Sequence, residues 1–426
     1  MITEYLSTLR LFSRDLRLFL ITGALVALAW DGMRTVILNL YLLRLGYGPQ
    51  FVGLVNAVGA FAFALLCPLA GAMGTRWGSR KMLITGLGLT AAGFCLLPLS
   101  ESMVLDLRSG WLLGTNILAY LGFALYLVNG LPFMMNTTRK KERVHAFSFH
   151  SALLPLAAFG GSLLAGVLPG ILASLSGVPL TEAAPYRYTL WLAALLLIPA
   201  VPVLLFARSR GRLEVQEIEP NMDKASPTRA PLGLILIMAL IMALRFGGRG
   251  PVVTFFNVYM DSEMGISIAL IGILSATALL VSVPAALLAP AIVARQGNAR
   301  TIAWGMVGMA LCTLPFALIP RWPVAGLAYI ASSGMFSLTV GPLRVFSQEL
   351  VAPRWQATMA SAFMMGAGLA FATVSLAGGY VIVEAGYRTL FLVSAGLIAV
   401  ATLFFWLYFR VPRGEMARPS VPEGGE

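Results

Sequence analysis

Apolar residues run in long blocks along this chain, and short polar breaks separate them. We read twelve blocks as helices, near 16–43, 50–74, 82–99, 111–137, 146–174, 188–208, 231–260, 267–293, 301–319, 324–349, 357–383 and 388–410. Each holds about 18–30 residues, which at about 1.5 Å per residue crosses roughly 30 Å of hydrocarbon. The longest polar stretch, Ser209 to Pro231, is rich in Glu, Pro, Arg and Ser and divides the blocks six and six. The expected organisation is an all-α membrane protein: a six-helix bundle over 1–208, a cytoplasmic linker over 209–230, a second six-helix bundle over 231–410 and a cytoplasmic tail over 411–426. The first block is too long for a secretory leader and has no small-residue cleavage site, so we expect it to stay in the membrane as the first helix.

Composition agrees with that pattern. Of the 426 residues, 58% are hydrophobic and 11% charged, with a mean hydropathy of +0.84; a soluble domain carries about 25% charged residues to keep its surface in water. Most of this exterior must therefore meet lipid. The 43 glycines and 24 prolines suit membrane helices, where Gly permits close contact and neighbours repair the kinks that Pro makes. Cys67, Cys95 and Cys312 sit inside apolar runs with no C-x-x-C, and the histidines are His145 and His150. That set supports neither a disulfide framework nor a metal site, and we expect no cofactor. It also lacks the clusters a membrane-embedded enzyme needs. No G-x-x-x-x-G-K-[ST] loop is present, so ATP is excluded as the direct energy source.

A net charge of +12 raises nucleic acid as a partner, and its distribution removes that reading. With the N-terminus inside, 21 of the 30 Lys and Arg fall in cytoplasmic segments, five in outer loops and four within helices. Basic residues retained on the inner side orient the protein, with both termini cytoplasmic in a cell inner membrane.

The two groups of six are related in sequence. Gly46, Gly53, Arg76, Gly78 and Lys81 recur 219 residues later as Gly265, Gly272, Arg295, Gly297 and Arg300. Asn39-Leu-Tyr41 recurs at 218 as Asn257-Val-Tyr259, Arg143-x-x-Ala146 at 211 as Arg354-x-x-Ala357, and Pro132 at 210 as Pro342. A slowly drifting offset is what loop-length changes between duplicated units produce. Parallel six-helix repeats place a cavity between the halves.

Between the second and third helices lies Gly71-Ala-Met-Gly-Thr-Arg76-Trp-Gly78-Ser-Arg80-Lys81, with a degenerate copy at Arg295-Gln-Gly297. This segment resembles the G-x-x-x-D-R-x-G-R/K-R/K signature of the major facilitator superfamily, and the likeness extends over nearly the whole chain. It implies two pseudo-symmetric six-helix bundles, alternating access, and a translocation path lined by helices 1, 4, 7 and 10. Gly78 allows a tight turn, and the basic residues offer partners to helix-end carbonyls or to acids of an inner gate. The family's acidic residue falls at Thr75 here, which puts a lock through that carboxylate in doubt.

Ionisable groups in a bilayer cost roughly 2.5–3.5 kcal/mol each on insertion scales, so each needs compensation. Asp31 and Arg34 lie deep in helix 1, Arg245 and Arg249 deep in helix 7, and Arg344 nearer the inner end of helix 10. Asp31 and Arg249 are 218 apart, which places them at equivalent positions on opposite sides of the cavity. Two readings stay open. The spacing of Asp31 and Arg34 allows them to neutralise each other on one helix face, and Arg245 and Arg249 to satisfy backbone carbonyls. Alternatively, one acid against three guanidinium groups leaves a surplus that suits a carboxylate or phosphate, gripped through paired hydrogen bonds. Asp31 is the carboxylate placed to carry a proton. Trp30, Asn39, Tyr126, Asn129, Phe246, Phe255 and Asn257 are further cavity-side candidates.

The expected function is that of a monomeric secondary transporter of a small solute, proton-coupled, taking an anionic or zwitterionic organic molecule. The drug-antiporter signature G-x-x-x-G-P-x-x-G-G is absent from helix 5; its nearest run is Gly160 to Gly170. An acid like Asp31 does occur in some multidrug exporters of the superfamily, so proton-coupled efflux of amphiphiles is the second reading. A non-transporting sensor on the same scaffold is the third.

Overall fold

A computed structural model describes residues 12–138, 143–206, 231–352 and 355–411. The linker 209–230 and the tail from 412 lie outside the described residues, as does Arg354 of the repeated Arg-x-x-Ala pair. Ten helical spans follow in order: α1 Arg14–Arg44, α2 Pro49–Trp77, α3 Ser79–Ser102, α4 Leu105–Thr137, α5 His145–Ser176, α6 Ala184–Phe206, α7 Leu232–Ser262, α8 Ile268–Gln296, α9 Asn298–Leu318 and α10 Trp322–Glu349. The last span, Thr358–Phe409, has 52 residues, far more than one crossing needs. It breaks at Gly386, where φ is 76° and ψ is 169°. A Cβ on Gly247 of α7 would lie 3.4 Å from Val374 and 3.7 Å from Leu397, so the chain turns back at Gly386 and both legs pack on α7. These legs are α11 (358–385) and α12 (387–409), which completes the twelve expected helices.

Polar residues set the helix starts. Ser13 accepts from the Leu16 amide at 3.2 Å and donates to the Thr137 carbonyl at 3.1 Å, so it caps α1 and ties it to the end of α4. Ser267 caps α8 in the same way. The repeated glycines now have physical causes. Gly46, Gly78, Gly265 and Gly297 all have positive φ, at 87°, 91°, 62° and 81°, a region that L side chains resist. Gly78 and Gly297 each reverse the chain in a single residue. Gly53 and Gly272 instead mark close contact between the halves. Gly53 touches the Ser375 carbonyl, joining α2 to α11, and a Cβ on Gly272 would lie 2.6 Å from Gly166 Cα, joining α8 to α5.

These contacts are uneven along the bundle. One hydrophobic core runs the length of the first half, from Phe12, Leu16 and Phe133 at the terminal end, and joins the second half at the far end through Leu40, Tyr41, Val52, Phe255, Tyr259 and Phe391. At the terminal end the second half has its own core around Met238, Met306 and Phe346, and a smaller cluster around Ala70, Met82 and Leu125 lies in the first. The halves share a core at the far end, and their cores are separate at the terminal end.

Candidate functional site

The middle of α1 is a π-helix over Ala27–Arg34. Its wider turns change which residues share a face, because the i, i+3 spacing no longer brings two side chains together. Arg34 turns into the first half. It is 5% exposed, and Nη2 donates to Asn116 Oδ1 of α4 at 2.7 Å. Its guanidinium carbon lies 4.6 Å from the Trp30 ring centre and 4.8 Å from that of Tyr120. Asn116 is fixed in turn by donating to the Val55 carbonyl at 2.7 Å, and Gly59 of α2 leaves the space that Tyr120 fills. A small void lined by Leu38, Phe94, Leu97, Ala119 and Leu190 adjoins Arg34.

Asp31 is exposed and lies one turn before Thr35, whose carbonyl accepts from Asn257 of α7 at 2.8 Å. The expected neutralisation of Asp31 by Arg34 is not made as an ion pair, and the π-helix is the reason. Among the described residues, ion pairs join Arg44 to Asp261 and Arg187 to Glu101; the central charges contribute to neither.

In the second half, α7 and α10 hold two guanidinium groups on neutral partners. Arg249, 9% exposed, donates from Nη1 to Ser332 Oγ at 2.8 Å and from Nη2 to Ser333 Oγ at 2.7 Å. Arg245, 1% exposed, donates to the Thr339 hydroxyl and to the Phe336 carbonyl. Phe336 lies between them, 4.4 Å from the Arg245 guanidinium and 5.5 Å from that of Arg249. The Nε atoms of Arg34 and Arg245 are buried and lack a protein acceptor. Bonds from an ionised donor contribute about 1.5–3 kcal/mol and ring faces about 0.5–2 kcal/mol. Together they hold the charge in place without cancelling it.

Arg344 is exposed, further toward the terminal end of α10, and is not drawn into the Phe336 cluster. Glu349 accepts from Asn298 of α9 at 3.4 Å. In the loop after α2, Arg80 donates to the Leu205 carbonyl at the end of α6 at 2.6 Å, so its helix-end partner lies within its own half. Arg76 and Arg295 are exposed. Thr75 bonds back to the Ala72 carbonyl at 2.8 Å. Gly71 has room for a side chain, its nearest neighbour being Val128 at 3.8 Å, whereas Gly74 lies directly against the Asn129 amide. Gly74 is thus the packing glycine of this segment, and its sequence signal was the GxxxG-like spacing to Gly78.

Several cavity candidates do other work. Asn39 Nδ2 donates to the Thr254 carbonyl at 2.7 Å, while Asn257 returns the bond to Thr35: the repeated asparagines clasp the halves reciprocally. Asn56 donates to Asn39 Oδ1 at 2.9 Å and holds it in register. Asn129 ties α4 to the Ala70 carbonyl of α2 at 3.1 Å, and Phe255 is core. Trp30 stacks on Phe123 with centres 4.1 Å apart, and Phe246 meets Phe336 edge-on. Tyr126 is buried with an unpaired hydroxyl.

Known proteins share this architecture. The family model for the Major Facilitator Superfamily matches residues 19–373 and 238–425. The MFS-type transporter YhhS of Salmonella typhimurium is 24% identical over 371 residues, covering 85% of this chain and 84% of that protein. Among solved structures, a mutant of the nucleoside transporter NupG superposes with a TM-score of 0.73 at 16% identity, covering 93% of this chain and 100% of that one. The inward-open xylose transporter XylE from E. coli gives 0.71 at 14% identity, covering 93% and 96%. A bacterial homologue of the lysosomal transporter Spinster, inward-facing and occupied, gives 0.70 at 16%, covering 93% and 96%. The matched model spans the helices that carry the repeat, the paired turns and the central charges; this chain is a membrane transporter and belongs to the Major Facilitator Superfamily.

Proposed function

We propose that the protein moves an anionic or zwitterionic organic solute across a cytoplasmic membrane by alternating access, with a proton carried by Asp31. The observation that carries this reading is the unbalanced charge at mid-membrane. Arg34, Arg245 and Arg249 are held by hydroxyls, an amide and ring faces, and Asp31 is exposed near Arg34 without forming an ion pair. A guanidinium bonded to neutral groups keeps its field, and in a low-dielectric site that field attracts a carboxylate or phosphate strongly. An exposed carboxylate gains and loses a proton as the surroundings alternate between water and closed protein.

Cross-half bonds at the far end support a state open toward the termini. The concentration of basic residues there supports a cytoplasmic placement for that side, and on this reading the linker 209–230 between the bundles 1–208 and 231–410 and the tail 411–426 are cytoplasmic. Every group invoked in this mechanism comes from one chain, so a monomer suffices for it. Efflux of an amphiphile uses the same Asp31, and the aromatic walls formed by Trp30, Tyr120, Phe123, Phe246 and Phe336 favour it as the second reading.

The test is a thermal-shift screen of purified protein against organic anions, zwitterions, cations and amphiphiles at two pH values. Hits are then assayed for counterflow in proteoliposomes with and without a pH gradient. Stabilisation and pH-driven counterflow by anions or zwitterions are expected. Hits confined to cations and neutral amphiphiles would replace this reading with the second.

A further inference from the structure

On the outer side of the second half, α9 and α12 leave an apolar groove of about 580 Å3 between them. Leu311, Leu392, Leu403 and Trp406 line it and are exposed. None of the central charges lines the groove, and its helices are those of one half. The corresponding helices of the first half are closed at their terminal end by Arg80 of α3, which donates to the Leu205 carbonyl of α6. With the repeat offset of 219, the residue equivalent to Arg80 is Ala299, which has no side chain to make that bond. The second half keeps a slot where the first has a staple.

Charge stands at one end of this slot. Arg300 lies seven residues before Val307, two helical turns on the same side of α9, and Arg410 lies one turn beyond Trp406 on α12. Both arginines are exposed. An apolar trough with two guanidinium groups at one mouth matches an amphiphile with a long chain and a negative head. Tryptophan at the same level belongs to the aromatic belt of the membrane interface. We infer that the α9–α12 groove binds an anionic phospholipid, its acyl chain in the groove and its phosphate between Arg300 and Arg410.

Basic residues near a membrane surface each favour an anionic headgroup by about five-fold, so the pair predicts up to about 25-fold preference. Native mass spectrometry of the full-length protein with dioleoylphosphatidylglycerol or dioleoylphosphatidylcholine measures it. The wild type should retain at least one phosphatidylglycerol under conditions that strip phosphatidylcholine. Arg300→Gln with Arg410→Gln should lose that molecule. Gly396→Phe should lose it too, because a Cβ there meets open space and the ring fills the groove without touching the charges. Combining the three substitutions should remove no further lipid. Equal retention of the two lipids, or a phosphatidylglycerol that survives either the double variant or Gly396→Phe, would overturn the site.

Discussion

At the scale of single residues, burying a charge is tolerable when neighbours stabilise it, and function begins where they leave it uncancelled. Arg249 has two serine hydroxyls and Arg34 one amide, and neither has a carboxylate. Removing the guanidinium in Arg249→Ala should weaken binding of an anionic solute by about 1.5–3 kcal/mol, or roughly ten- to a hundred-fold, measured by thermal shift or radioligand binding. Asp31→Asn should leave the melting temperature close to wild type, since no ion pair is broken. Coupled transport should fall, and the pH dependence of residual transport should flatten. A large loss of stability in Asp31→Asn, with unchanged pH dependence, would make Asp31 a structural group. The same geometry predicts that exchanging the charges, Asp31→Arg with Arg249→Asp, restores neither stability nor transport.

At the scale of elements, the proposed alternating access depends on the turns and the clasp. Gly78 and Gly297 occupy left-handed backbone, where a β-branched residue costs on the order of 1–3 kcal/mol. Gly78→Val and Gly297→Val should each slow transport more than they lower the yield of folded protein. The first should be the more sensitive, because Arg80 fixes its turn to α6. Wild-type transport rates in both variants would remove these turns from the gating step. The reciprocal bonds of Asn39 and Asn257 tie α1 to α7 at the far end. Asn39→Ala with Asn257→Ala should loosen that end. Electron-spin distances between labels at Glu182 and Glu263, on a background without Cys67, Cys95 and Cys312, should lengthen and broaden. An unchanged distribution would mean that packing, or the Arg44–Asp261 pair at 2.6 Å, suffices to close it.

At the scale of the whole molecule, orientation and conformational state follow from different forces. The proposed orientation, with both termini cytoplasmic, rests on the 21-to-5 distribution of basic residues, because cytoplasmic loops retain Lys and Arg. Cysteine substitutions at Ser109 and Glu263 should be labelled by impermeant maleimide in intact cells, and those at Ser13 and Val411 should be protected there and labelled in inverted vesicles. Labelling of either terminus from outside would reverse the topology and the side on which the path opens. The conformational state rests on tertiary contact: the clasp and the part of the first half's core that reaches the second half lie at the far end, and the second half keeps a core of its own at the other. Proteins of this architecture are bistable because such contacts at one end exchange for contacts at the other.

The sequence by itself determined the helices, their number and the repeat, since those depend on local hydropathy and on offsets that survive duplication. It also located the paired glycines, because a positive φ or a backbone-to-backbone contact at Gly53 and Gly272 excludes larger side chains wherever it occurs. The four mid-membrane charges were legible for the same reason: a charge in an apolar run stands out. Their partners were not. A 3.6-residue period put Asp31 and Arg34 on one face, and only the π-helix, formed where α1 packs on α5 through Gly32 and Gly161, left them without a direct ion pair. The same holds for Asn39 and Asn257, which read as cavity residues along the chain but bond across the halves. Periodicity reports the environment of a residue within its own helix. Which neighbour fills that environment depends on how separate helices pack, and the tertiary structure alone decided that.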